Sequence, residues 1–356
     1  MGHNKLFGIC ENKCMVEVFG KEEMIRRDVL IKTGAEPLTS LFNKYKNNED
    51  VKIYPDATYA PYVESHFATD MSAMFSGCSH LTDILILDTH SAEDLSFIFK
   101  DCGRLTRIPE LDTSNCTDFI YMFQNCTALT RIPELDTSKG NSFTDMFSGC
   151  SHLTHIPELD TSKSIHFEEM FQNCSALTHI PDLNTSNGTI FRGMFKNCSQ
   201  LIEAPELDTS NGIYFDNMFD GCSALTHIPN LDTSNATSVT YMFQNCSALT
   251  HIPDLNLEKT TWYASMFVGC TSLTTFDDNP YAPEGSRWQI SNNIDFSYSP
   301  LNRASALKLL RGLREVEPDE YFPITIKFSD YTYSLLSEDD IAIATNKGWA
   351  VNHESH

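Results

Sequence analysis

A Met-Phe pair, or its near equivalent, returns every 24 residues through the middle of the chain, led by Met74, Ile98, Met122, Met146, Met170, Met194, Met218, Met242 and Met266. A cysteine follows each at a fixed offset, from Cys78 to Cys270, and a leucine three residues later, from Leu81 to Leu273. This period confines the chain to a stack of like units: one unit has too little apolar surface to fold alone and must bury its face on its neighbours. Length alone, 356 residues, suggests two or three domains. The repeat overrides that expectation.

Within one unit the apolar residues fall about every third position, as in Phe143, Phe147, Cys150, Leu153, Ile156 and Leu159. Neither a regular helix nor an alternating strand has that spacing over 24 residues, whereas a coil that bends round an axis does, each side supplying its own inward residue. The stretch "FTDMFSGC" predicts a short helical turn, "LTHI" a strand and "PELDTS" the bend that leaves it. Prolines at one shared position, Pro109 to Pro253, lack the N–H of a continuous ladder and require the strands to be short. Phe123, Phe147, Phe171, Phe195, Phe219 and Phe243 form one expected core row, and Cys126, Cys150, Cys174, Cys198, Cys222 and Cys246 another, the cysteines as buried, unpaired fillers. Cys10 and Cys14 stand apart, and a lone CxxxC is weak evidence for zinc.

Stacking converts each repeat position into a surface row. After the buried Leu and a Thr comes a position held by Asp83, Arg107, Arg131, His155, His179, Glu203, His227, His251 and Thr275. Its four histidines suggest a pH-sensitive or metal-binding stripe; the plainer reading, which the interruption at Glu203 favours, is an exposed strand face copied by duplication. Arg107, Arg131, His155, His179, Glu203, His227 and His251 are the candidate binding face. A second row, Asp88 to Asn256, mostly followed by Thr and Ser, reads as turn chemistry rather than calcium ligation. The variable words follow it: "NCTD" at 115, "KGNS" at 139, "KSIH" at 163, "NGTI" at 187, "NGIY" at 211 and "NATS" at 235. Either they drift unselected, or they are exposed loops that set partner specificity on a fixed frame.

A net charge of −23 opposes binding to a nucleic-acid backbone and to anionic membranes. Basic partners remain compatible with it. No apolar run has signal-peptide or membrane-span length, so the expectation is synthesis in a cytosol without a leader and no membrane insertion. No GxSxG, P-loop or HExxH occurs, and the histidines recur singly rather than beside a nucleophile, so no catalytic residue, metal or cofactor is expected.

The ends differ from the repeat. Residues 1–30 are charged and match neither repeat nor cap, reading as an attachment segment, and "EPLTSLFNKYKNNEDVKIYP" within 31–70 predicts a helix and a strand that cap the first coil. Residues 71–276 hold nine repeats. In 277–356, "NRASALKLLRGL" predicts a helix, "PITIKFS" a strand, and "SEDDIAIATNKGWAV" a helix with Ser337 as N-cap and Gly348 near its C-cap, leading to a last strand.

The units "MFQNCSALTHIPDLNTS" and "MFSGCSHLTHIPELDTS" resemble the BspA-like leucine-rich repeats, in the branch with a Met-Phe-x-x-Cys core and an Asp-Thr-Ser ending, over about residues 71 to 276. The resemblance implies an α/β leucine-rich-repeat solenoid, a right-handed coil with short parallel strands and capped ends. It also implies a bacterial or protozoan surface protein that binds host proteins or other cells, or a component of a bacteriophage particle. The ends "LFGICENKCMVEVFGKEE" and "LLSEDDIAIATNKGWAV" look like those of the phage-associated type. The expected function is therefore non-enzymatic recognition of a protein or cell-surface ligand from a virion, with other virion proteins held through the N-terminus. A cell-surface adhesin is the alternative.

Overall fold

Around each Met-Phe pair the backbone is a run of linked β-turns. Met74 N–H donates to Met71 O at 3.3 Å, and Ser76 to Ala73, Cys78 to Phe75 and Leu81 to Cys78 at 3.0 Å each. The alternate N–H groups, of Ala73, Phe75 and Gly77, reach the carbonyls of Ser96, Ile98 and Lys100 in the next coil, at 2.8, 2.9 and 2.7 Å. An α-helix would instead send every N–H back four residues. The helical turn expected for "FTDMFSGC" is thus replaced by a turn ribbon that shares its hydrogen bonds between coils.

Two positions per coil hold this ribbon in the left-handed region. One row, which includes Ala73, Tyr121, Asp145 and Tyr241, has φ between +53° and +59° at its non-glycine members; the other, just before each repeat cysteine, contains only Gly, Asn and Asp. Those three residue types tolerate positive φ at least cost. At Gly149, φ is +79°, and a Cβ placed there would lie 2.3 Å from Asn125 Oδ1.

The computed structural model describes residues 14–18, 21–25, 59–60, 69–84, 87–277, 290, 293–316 and 324–354. The chain falls into two units, 1–164 with 173–176, and 165–172 with 177–356. In the first, β1 (Cys14–Val18) pairs antiparallel with β2 (Lys21–Ile25), an element that the charged composition of this segment does not suggest. Strand β3 (Tyr59–Ala60) runs parallel to β4 (Asp83–Ile84), and single parallel bridges continue the "LTxI" row at Asp83 to Arg107 and Arg131 to His155. Phe75, Phe99, Phe123 and Phe147 stack ring on ring at 5.7 Å. The helix expected in 31–70 falls outside the described residues, as does Cys10.

In the second unit Phe171, Phe195, Phe219, Phe243 and Phe267 stack at 5.4 to 5.9 Å. The "LTxI" row becomes a short ladder, β5 (His251–Pro253) parallel to β6 (Thr275–Asp277). Both strands are three residues long, and β5 ends at Pro253, which lacks the N–H to extend the ladder. Strands β7 (Ile294–Phe296), β8 (Thr325–Ser329) and β9 (Ala350–Glu354) form a parallel sheet in that order. Helix α1 (Arg303–Gly312) starts at Asn302, whose side chain accepts from Ser305 N–H. Helix α2 (Asp330–Ser334) is one turn long and follows β8 directly. Helix α3 (Glu338–Thr345) has a capping box between Ser337 and Asp340, and Gly348 beyond it has φ +85°. Phe296 closes on Phe267 at 4.7 Å, so the end elements continue the aromatic file.

The core-row side chains Phe123, Phe147, Phe171, Phe195, Phe219 and Phe243 have no solvent exposure, nor do Cys126, Cys150, Cys174, Cys198, Cys222 and Cys246. The cysteines do more than fill space. Each repeat-row thiol from Cys102 to Cys270 donates to the carbonyl of the phenylalanine 27 residues earlier, as Cys150 does to Phe123 O at 3.1 Å and Cys198 to Phe171 O at 3.1 Å, while Cys116, outside that row, donates to Ala92 O at 3.1 Å. Burial pushes the thiols of Cys78, Cys150 and Cys270 up to about 12. They form no disulfide and are un-ionised at neutral pH.

Candidate recognition face

The outward side of each coil is set by the "LTxI" segment. Leu and Ile point in, so the Thr and the variable residue between them point out. The threonine hydroxyls tie coil to coil: Thr106 Oγ1 donates to Thr82 O, and Thr154 to Thr130, both at 3.1 Å. In the second unit Thr226 donates to Ile202 O at 3.2 Å and Thr274 to Thr250 O at 3.1 Å. The residues that follow are thereby presented from a backbone fixed on both sides.

In the first unit Arg107 lies over Asp83 with Nη2 to Oδ1 at 2.9 Å, and its side chain is 72% exposed. At that exposure the pair adds little stability. Arg131 and His155, bridged through their backbones, line an open groove of about 370 Å³ with Thr130, Glu134, Thr154 and Pro157. The groove offers a guanidinium, an imidazole and a carboxylate around apolar walls supplied by Ile132 and Ile156. Glu134 was not among the residues expected here; it occupies the position after the shared proline, a repeat offset that sequence reading assigns to the bend.

In the second unit His179 and Glu203 are exposed, and Glu203 bridges to His227 through the backbone. His227 Nδ1 lies 3.1 Å from His251 Nε2, a separation at which one ring donates and the other accepts. His251 Nε2 also stands 3.8 Å from Asp277 Oδ2. The row therefore forms pairs between successive coils and does not converge on one point. Among the described residues no group of three or more His, Cys, Asp or Glu side chains is placed to hold a metal ion.

The Asp-Thr-Ser bend is accounted for residue by residue. Asp112 and Asp136 Oδ1 accept from the N–H two residues on, at Ser114 and Ser138, at 3.1 and 3.0 Å. These serine hydrogen bonds, from side chain and backbone, hold the carboxyls of Asp112, Asp136 and Asp160 below the usual carboxylate range. Thr113 and Thr137, buried, donate to the carbonyls of Asp136 and Asp160 in the next coil at 2.8 and 3.0 Å. Asn184 serves the same turn, accepting from Ser186 N–H at 3.2 Å.

Coils of 24 residues with inward Phe, Cys, Leu and Ile, short parallel strands on one side and turns elsewhere define a leucine-rich-repeat solenoid of the BspA-like kind. The chain belongs to the family described as "Mycoplasma protein of unknown function, DUF285", which it matches over residues 59–158, 94–205 and 165–279. No curated protein matches it. Among solved structures it is similar to a leucine-rich repeat protein from Bacteroides ovatus, at 15% identity over 98% of this chain and 100% of that one, with a TM-score of 0.30. It is also similar to TLR13 in the TLR13–ssRNA13 complex, at 14% identity over 84% of this chain, with a TM-score of 0.28. The chain spans about half the length, 50%, of that TLR13 chain.

Proposed function

We propose that this chain is a non-enzymatic recognition protein that binds a protein or cell-surface ligand through the outward row from Arg107 to His251, and that it is carried on a phage particle by its first 30 residues or so. The observation that carries the binding reading is the division of labour within each coil. Positions repeated without change are spent on packing and on hydrogen bonds between coils, while the Arg131–His155 position and its groove vary in charge and face solvent. A fixed frame with variable outward residues loses little conformational entropy on binding. The virion part of the reading is supported by the resemblance of the two ends to phage-associated members. The net charge of −23 opposes binding to a nucleic-acid backbone and supports a protein or cell-surface ligand instead.

Intact protein, a triple variant R107A/R131A/H155A and a chain lacking residues 1–30 should be compared for binding to host cells and for incorporation into particles. The triple variant is expected to fold and to lose most cell binding, and the truncated chain to bind cells but stay out of particles. Full cell binding by the folded triple variant defeats the assignment of this face. Display on the producing cell's surface, with none in particles, replaces the virion reading with that of a bacterial adhesin.

A further inference from the structure

The variable loops of the second unit bring aromatic residues into register on a ladder in which Tyr214 is half-buried, Ser238 buried and Trp262 exposed. Parallel bridges join Ile190 to Tyr214, Tyr214 to Ser238, and Ser238 to Trp262. Partners in a parallel ladder project from the same side, so Tyr214 and Trp262 share a face with only Ser238 between them. Trp262 is the most exposed large apolar residue described, at 69%. Two strand steps separate the rings' backbones by about 10 Å.

Tyr214 already holds a cation. The Arg192 guanidinium sits 4.2 Å from the ring centroid and pairs with Asp216 Oδ2 at 3.1 Å. The other carboxylate oxygen of Asp216 accepts from Ser238 Oγ. The first unit repeats the theme, with Lys100 Nζ 5.5 Å from the Phe97 centroid and 4.7 Å from that of Tyr121. This scaffold therefore sets side-chain cations over aromatic rings of neighbouring coils at more than one position. Trp262 has the strongest π face of the common side chains.

We propose that Tyr214, Ser238 and Trp262 form a notch that receives a basic side chain, arginine or lysine, of a protein partner. A cation midway between the rings lies about 5 Å from each, inside the ~6 Å reach of a cation–π contact. The chain's net charge of −23 draws a basic partner from a distance. Both oxygens of Asp216 are engaged, by Ser238 and by Arg192, so what the notch offers a cation is the π faces of its two rings. The inference rests on the recognition reading but uses residues separate from the Arg107–His251 row.

The test uses the full chain and a fluorescein-labelled peptide of alternating Gly and Arg, followed by anisotropy, with the Gly-Gln peptide and maltoheptaose as neutral probes. Wild type and W262F are expected to bind the arginine peptide, and W262A to bind it at least ~5-fold more weakly. R107A/R131A/H155A should bind it as wild type does. W262A keeps the whole net charge, so undiminished binding by that variant would mean that general electrostatic attraction accounts for it and would overturn the notch while leaving the outward row to its own test. Tighter, Trp262-dependent binding of maltoheptaose than of the peptide would overturn it too.

Discussion

Gly149 shows how narrowly a single residue is specified in this fold. Its φ of +79° and the 2.3 Å approach of Asn125 Oδ1 to its missing Cβ act together. G149A is expected to lower stability by about 1–3 kcal/mol, from left-handed strain plus displacement of the Asn125 side chain. Lys163→Ala, at an exposed position of a variable loop, should stay within about 0.5 kcal/mol. Denaturation midpoints for the two variants check this, and equal midpoints would contradict it. The constraint was visible in the sequence, since the residue before every repeat cysteine is Gly, Asn or Asp. The close spacing of Phe143, Met146 and Phe147, which imitates a helical face, masks it. The companion left-handed row gave no such signal: it holds Phe97, Tyr121, Glu169 and Tyr241, residues whose intrinsic preference lies elsewhere and which the neighbouring coil's hydrogen bonds hold in place.

Helix α1 is tied to the coils by an ion pair whose carboxylate is buried. Lys308 Nζ meets Asp254 Oδ2 at 3.0 Å and the carbonyl of Phe276 at 3.1 Å, and the Asp254 side chain has no exposure. Removing the lysine takes this cation from the buried Asp254 carboxylate, so K308A is expected to cost about 3 kcal/mol. D254N/K308M should recover part of that loss, because the charge goes with its partner. Urea midpoints of wild type and both variants report it; a K308A midpoint equal to that of wild type would show the pair to be inconsequential. Helix α3 is legible through its cap, Ser337, because a cap is a local signal, and α1 through the stretch "NRASALKLLRGL", whose cap at Asn302 the structure adds. Helix α2 is not, since five residues give no periodicity to read. The Lys308–Asp254 pair spans 54 residues, and Asp254 sits at a position after the shared proline that is acidic in most coils, so nothing local announces it.

Across the whole array, ten described cysteines lie buried, including Cys116 outside the main row. Native protein should therefore react slowly with thiol reagents at these positions and rapidly once denatured; fast native labelling of most of them would contradict the burial. The same burial gives the molecule an alkaline limit. For Cys78, Cys116, Cys150 and Cys270 the folded thiol ionises only near about 12, whereas an unfolded one does so near ~8.5. Between those values the unfolded chain releases protons that the folded chain keeps, so stability falls as pH rises through that window. A denaturation midpoint that stays constant from pH 8 to 11 would refute the linkage. The coil-to-coil hydrogen bonds, in which an N–H such as that of Phe75 finds its acceptor 23 residues ahead, carry a genetic corollary. Near-identical stretches of coding sequence invite slippage and unequal crossing-over. A gain or loss of one complete 24-residue segment returns each donor to an equivalent acceptor, while an insertion of any other length offsets every bond across the junction. Selection can then accept lineages that differ in the number of coils and reject those that differ by a single codon.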